Sequence, residues 1–147
     1  MSVLTFSLAG KSESPTRFVA RARQFEIVVD EPAALGGADS AANPVEYILA
    51  GFAGCLNVVG HLVARDLGFE LHRLEVSLQG DIDPARFLGQ ATEQRAGYQG
   101  LQVILTPHAD ASPEILALWL QQVTDRCPVH DNLRQQTPVS LVLSETV

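Results

Sequence analysis

The sequence predicts an α+β fold built on a largely antiparallel sheet. Three observations carry this prediction. Runs of alternating apolar and polar residues mark strands near both ends and in the middle of the chain. Two segments combine helix start signals with helical apolar spacing. The order is strands, helix, strands, helix, strand, not the regular alternation that a parallel sheet needs.

Taken in order, Leu4, Phe6 and Leu8 alternate with Thr5 and Ser7 as one strand. Phe25, Ile27 and Val29 alternate with Glu26 and Val28 as another, ending at the Asp30-Glu31-Pro32 breaker. Residues 33–42 hold Gly36-Gly37 and small polar residues, so they read as a loop. A helix then opens with Asn43 as cap, Pro44 at the first position and Glu46 three after the cap, a capping-box pattern. It runs to about Asp66, before Gly68. Between Val45 and Val59 it is apolar nearly all round, which predicts burial on most sides and a dimer partner to supply it.

Leu74, Val76 and Leu78 form the next strand, and residues 83–97 a polar loop or short helix. Leu101, Val103 and Leu105 form a further strand that stops at Pro107. A second helix opens at Ser112-Pro113-Glu114, turns Ile115, Leu118, Trp119 and Val123 inward, and ends before Cys127-Pro128. Val139, Leu141 and Leu143 make the last strand.

The 147 residues fit one domain, 1–147. At that size a chain buries roughly 70% of its unfolded surface and needs no disulfide staples. A net charge of −7 supplies no basic stripe for phosphates, which excludes a nucleic-acid partner. No apolar run approaches the ~20 residues that cross a bilayer, because Gly51, Gly54 and Asn57 break the longest. Met1–Gly10 lacks the basic start of a signal peptide. The expectation is a soluble cytoplasmic protein without a membrane partner, its two cysteines reduced.

Cys127-Pro128-Val129-His130 is the first candidate for chemistry. Pro128 suits the first position of a short helix, making Cys127 its N-cap, where free amides favour thiolate. Arg126 and His130 stand ready to add positive charge or a proton route. The competing reading is a small buried hydrophobe at a helix corner. Cys55 lies inside the apolar helix, where burial alone makes a thiol inert. Activity there needs a cation, and Arg17, Arg21 and Arg23 are the candidates. His61, His72, His108 and His130 show no metal-ligand spacing, and no Ser-His-Asp set emerges.

The run from Asn43 to Leu56, NPVEYILAGFAGCL, resembles the central helix of the osmotically inducible protein C (OsmC) and organic hydroperoxide resistance (Ohr) superfamily. Cys127-Pro128-Val129 resembles its second cysteine motif, and the Asp30-Glu31-Pro32 and Leu35-Gly36-Gly37 segments also match. The resemblance covers residue 17 to the C-terminus. It implies an intertwined homodimer with two central helices packed against mainly antiparallel sheets. It also implies that Cys55 attacks an organic hydroperoxide as thiolate, that Cys127 resolves the sulfenic acid, and that a dithiol reduces the disulfide. The activating arginine is best matched by Arg23.

One departure stands out. The peroxidase branches carry glutamate directly after the proline, where it orients the arginine; here that position is Val45. Glu46, one residue on, points ~100° away around the helix and serves as the cap. The chain looks more like the less characterised branch with NPVEY. Two functions follow: a thiol peroxidase of organic hydroperoxides, or a non-catalytic dimer that binds an apolar small molecule or senses redox state. Neither calls for a cofactor or a metal.

Overall fold

A computed structural model describes residues 1–145. It divides into two compact units, Met1–Ala50 and Gly51–Val147.

In the first unit, β1 (Ala9–Ser12), β2 (Phe18–Ala22) and β3 (Phe25–Val29) form an antiparallel sheet in that order. β2 and β3 meet at a two-residue turn, Arg23-Gln24, with Arg23 at φ 54. Positive φ at the first turn position matches the twist of the flanking strands. Beyond β3, Asp30 is fully buried and pins the following loop. Its carboxylate accepts from the Glu31 amide at 2.8 Å and from the Ser40 amide and hydroxyl at 3.1 and 2.7 Å. The Ser40 hydroxyl, then the Glu31 and Ser40 amides, hold the Asp30 carboxyl well below the usual carboxylate range, against the opposing effect of burial. Gly37 is needed where the loop doubles back, since a Cβ there would lie 1.8 Å from the Glu31 carbonyl oxygen. The long helix α1 (Pro44–Leu67) starts here. Its capping box is reciprocal: the Asn43 amide donates to Glu46 at 2.8 Å, and the Glu46 amide donates to Asn43 at 2.9 Å.

In the second unit, β4 (Leu71–Gly80) and β5 (Leu101–Ala109) pair antiparallel. They are followed by α2 (Pro113–Arg126) and α3 (Pro128–Arg134). Ser112 caps α2 by accepting from the Ile115 amide. Phe52, Leu56, Val59, Val63 and Ala64 line one face of α1 and pack with Leu71, Trp119, Val123 and Cys127. Their spacing of three and four is the helical period, so one face carries the core. Alternate residues of β4 and β5, among them Leu74, Val76, Leu78, Val103 and Leu105, close the other side. The mixed α+β class and the antiparallel pairing agree with the sequence, and so do the caps of α1 and α2 and the stop at Gly68, whose φ is 79.

Several expectations need correction. Residues 1–8 form no strand; β1 begins at Ala9, and Leu4 and Phe6 stay exposed. Residues 139–145 form no strand either, with Leu141 and Leu143 exposed. Alternation shows that a segment suits a strand, but a strand needs a neighbour to pair with, and among the described residues neither segment has one. β5 does not stop at Pro107; it pairs Pro107 with Leu74 and ends at Ala109. A two-stranded sheet has only edge strands, which tolerate a proline whose missing N–H faces outward. Leu118 is exposed, because the buried stripe of α2 runs through Trp119 and Val123.

Within one chain α1 buries one face and leaves Tyr47, Ile48, Val58 and Leu62 exposed, and the further burial expected from a dimer partner lies outside the single chain. By length and composition it is also long and apolar enough to cross a membrane, an 18-residue stretch of it having a mean hydropathy of 1.7. Glycines and a single Asn interrupt the apolar run without lowering that average much, which is why counting consecutive residues missed it. A third of that stretch, 33%, is buried in the fold.

Candidate functional site: a thiol pair between two helices

Both cysteines lie in the second unit. Cys55 sits one helical turn after Phe52 on α1, partly buried against the core. Cys127 stands in the break between α2 and α3, with extended backbone (φ −80, ψ 112) and no exposed surface. Pro128 forces that break, since the residue before proline avoids helical geometry and the proline itself then opens α3. Two helices therefore end and begin on one residue, whose side chain is turned into the core. There the sulfurs meet: Cys127 Sγ lies 3.1 Å from Cys55 Sγ, and both cysteines are free thiols. A disulfide needs ~2.05 Å, so the pair lies about 1 Å short of a bond.

Cys127 is the N-cap of α3, and its sulfur accepts the His130 amide at 3.4 Å. The cap geometry follows the sequence expectation, but its electrostatic consequence is reversed. Burial pushes the Cys127 thiol up, and the neighbouring Cys55 pushes the same way. The His130 and Val129 amides pull down and do not prevail. Burial outweighs the two amides, so Cys127 holds its proton more firmly than a free thiol does.

The other expected contributors are placed as follows. His130 stacks its ring on Phe52, with centroids 5.7 Å apart and planes 12° from parallel, and its Nδ1 is 2.9 Å from the Thr124 carbonyl. The stack ties the turn before Cys55 to the turn after Cys127. Arg126 pairs with Asp66 at 2.8 Å, so its charge bridges α2 to the end of α1. Arg23 occupies the β2–β3 turn of the first unit, with its guanidinium 4.9 Å above the Phe25 ring. Arg17 bonds Glu13 at 2.8 Å and Ser40 at 3.1 Å. Among the described residues, no group of three His, Cys, Asp or Glu side chains is arranged to hold a metal ion. Sequence reasoning missed the Phe52–His130 stack and the Trp119 hydrogen bond to Gly60; the helical spacing of Phe52 before Cys55 and of His130 after Cys127 was the available signal.

Residues 37–142 match the OsmC family, described as OsmC-like protein. The chain belongs to that family. Solved structures of OsmC-like fold superpose over nearly the whole chain. An OsmC-like protein from Mycoplasma pneumoniae gives a TM-score of 0.78 at 19% identity, covering 90% of this chain and 89% of that one. An organic hydroperoxide resistance protein OsmC from Legionella pneumophila gives 0.65 at 18% identity, covering 91% and 92%. An organic hydroperoxide resistance protein from Elizabethkingia anophelis, solved with a crystallant-derived thiocyanate bound, gives 0.67 at 20% identity, covering 92% and 91%. No curated protein matches the sequence. Membership of the OsmC-like family supports a general OsmC-like role, and the likeness to solved structures establishes the fold.

Proposed function

We propose that the chain is a thiol-dependent peroxidase that reduces organic hydroperoxides, with Cys55 as the attacking sulfur and Cys127 as the resolving one. The observation that carries this reading is the 3.1 Å approach of two free sulfurs. In the first step the Cys55 thiolate takes the terminal oxygen of ROOH. An S–O bond forms, the O–O bond breaks, and the alkoxide leaves and takes a proton from solvent. Cys55 becomes a sulfenic acid. In the second step Cys127 attacks the oxidised sulfur, the S–S bond forms, and the hydroxyl departs with the Cys127 proton as water. An external dithiol then reduces the disulfide by exchange.

The test is consumption of cumene hydroperoxide in the presence of a dithiol, by wild type and Cys55→Ser. Wild type turns over and the variant does not; equal rates remove the reading. Arg23 is retained as the candidate activating arginine, and Arg23→Gln is expected to slow turnover at least tenfold, the scale of a lost charged contact (~1.4 kcal/mol).

The proposal includes a homodimer, in the cytoplasm where thiols are kept reduced. Val3, Leu4, Phe6 and Leu8 at one end are exposed, as are Val139, Leu141, Val142 and Leu143 at the other. Apolar side chains spaced in this way suit strands that pair with a second copy.

Val45 favours a second reading, a non-catalytic dimer that binds an apolar molecule, because it leaves Glu46 committed to Asn43 at 2.8 Å. Mass spectrometry after brief peroxide exposure separates the two. Loss of two hydrogens linking Cys55 to Cys127 supports the peroxidase, and unchanged thiols support binding.

A further inference from the structure

The geometry points to a second role for Cys127: its S–H donates to Cys55 and holds that sulfur as a thiolate before any peroxide arrives. This rests on the reading of Cys55 as the nucleophile. Two sulfurs 3.1 Å apart need a hydrogen between them, since two thiolates at that distance would repel strongly and two lone pairs would meet unshielded. The donor's identity follows from burial. Cys127 has no exposed surface, whereas Cys55 is only partly buried, and the less hydrated sulfur gives up its proton last. The lowered acidity of Cys127 agrees.

The donor is also prepared. The His130 amide points at the Cys127 sulfur from 3.4 Å, and a hydrogen bond accepted by a donor polarises the bond it offers onward. An S–H is ordinarily a weak donor, but its bond to a charged acceptor is roughly twice as strong as to a neutral one. Pro128 sets the extended backbone at Cys127, and the Phe52–His130 stack links the turn before Cys55 to the turn after Cys127, so the two sulfurs are held close by the fold. A single proton therefore serves two steps. It supports the thiolate at rest, then leaves with the sulfenic hydroxyl as water when Cys127 attacks.

The experiment compares alkylation of Cys55 by iodoacetamide in the intact protein, read by mass spectrometry near neutral pH, for wild type, Cys127→Ala and Cys127→Ser. The alanine variant is expected to react about tenfold more slowly, and the serine variant, which keeps an O–H donor, to stay within about threefold of wild type. An alanine variant that alkylates as fast as wild type overturns the proposal. If either variant fails to fold, thiolate ultraviolet absorbance of wild type decides. One thiolate that disappears in Cys55→Ala supports the proposal, and none in wild type overturns it. No peroxide is used, so the contact is tested even in a protein that shows no peroxidase turnover.

Discussion

The indole nitrogen of Trp119 donates to the main-chain carbonyl of Gly60 at 2.8 Å, inside the core of the second unit. Gly60 lies on α1 shortly after Cys55, and Trp119 lies roughly two turns before Cys127. The bond therefore fixes α2 along α1, and with it the position at which α2 delivers Cys127. The ring is almost completely buried, at 2% exposure, so this polar link is shielded from water.

Trp119→Phe removes the N–H and part of the ring while keeping an aromatic side chain. We expect a loss of about 1–3 kcal/mol, a buried hydrogen bond plus a small cavity. Urea denaturation under reducing conditions measures it. An unchanged midpoint would mean that the indole contact does not hold the helices.

Gly60→Ala tests the same joint from the other side. The added Cβ would sit 3.1 Å from Trp119 Cζ2 and 3.2 Å from Leu74 Cδ2. Alanine gains about 1 kcal/mol of helix propensity over glycine, and overpacking costs about 1–3 kcal/mol. The ring cannot retreat without giving up its hydrogen bond, so the balance falls on the destabilising side. A chemical melt showing a more stable variant would contradict this.

Asp30 makes stability depend on acid. Its folded carboxyl titrates below the ordinary value, so the unfolded chain binds the proton first as pH falls. The contribution is fully present above about pH 3.9 and declines as pH drops through the lower folded value. Asp30→Asn is expected to be less stable than wild type at neutral pH, with the gap narrowing only below about pH 4. Thermal melts across an acid series would show it; a constant gap would argue against the assignment.

The exposed ends make a prediction about assembly. Leu141 and Leu143 are 94% and 98% exposed in one chain. Under the proposed dimer, Leu141→Asp with Leu143→Asp shifts the mass measured by light scattering from two chains toward one. A wild-type protein that is already monomeric removes the dimer from the proposal.

How much the sequence disclosed depended on the range of the forces involved. The capping box at Asn43 and Glu46, the Ser112 cap and the Cys127-Pro128 break depend on neighbours within a turn, and all three were legible. The Leu4–Leu8 and Val139–Leu143 segments form no strand within one chain, because alternation does not say which partner supplies the hydrogen bonds. The continuation of β5 through Pro107 depends on its being an edge, which only the assembled sheet reveals. The pairing of Cys55 with Cys127 was implied by family resemblance alone, since the residues between them hold no local signal of it. The reversed acidity of Cys127 came from depth of burial, which the CPVH motif does not encode.

The sulfurs that meet in the core are 72 residues apart in sequence. Closing a loop of that size with a covalent link removes about 4 kcal/mol worth of freedom from the unfolded chain in the loop-entropy description. Each turn of the proposed redox cycle would then also be a cycle of mechanical reinforcement and release. An oxidised molecule would resist unfolding and proteolysis more than its reduced form, so the fraction of the population awaiting a reductant could be read from its persistence alone.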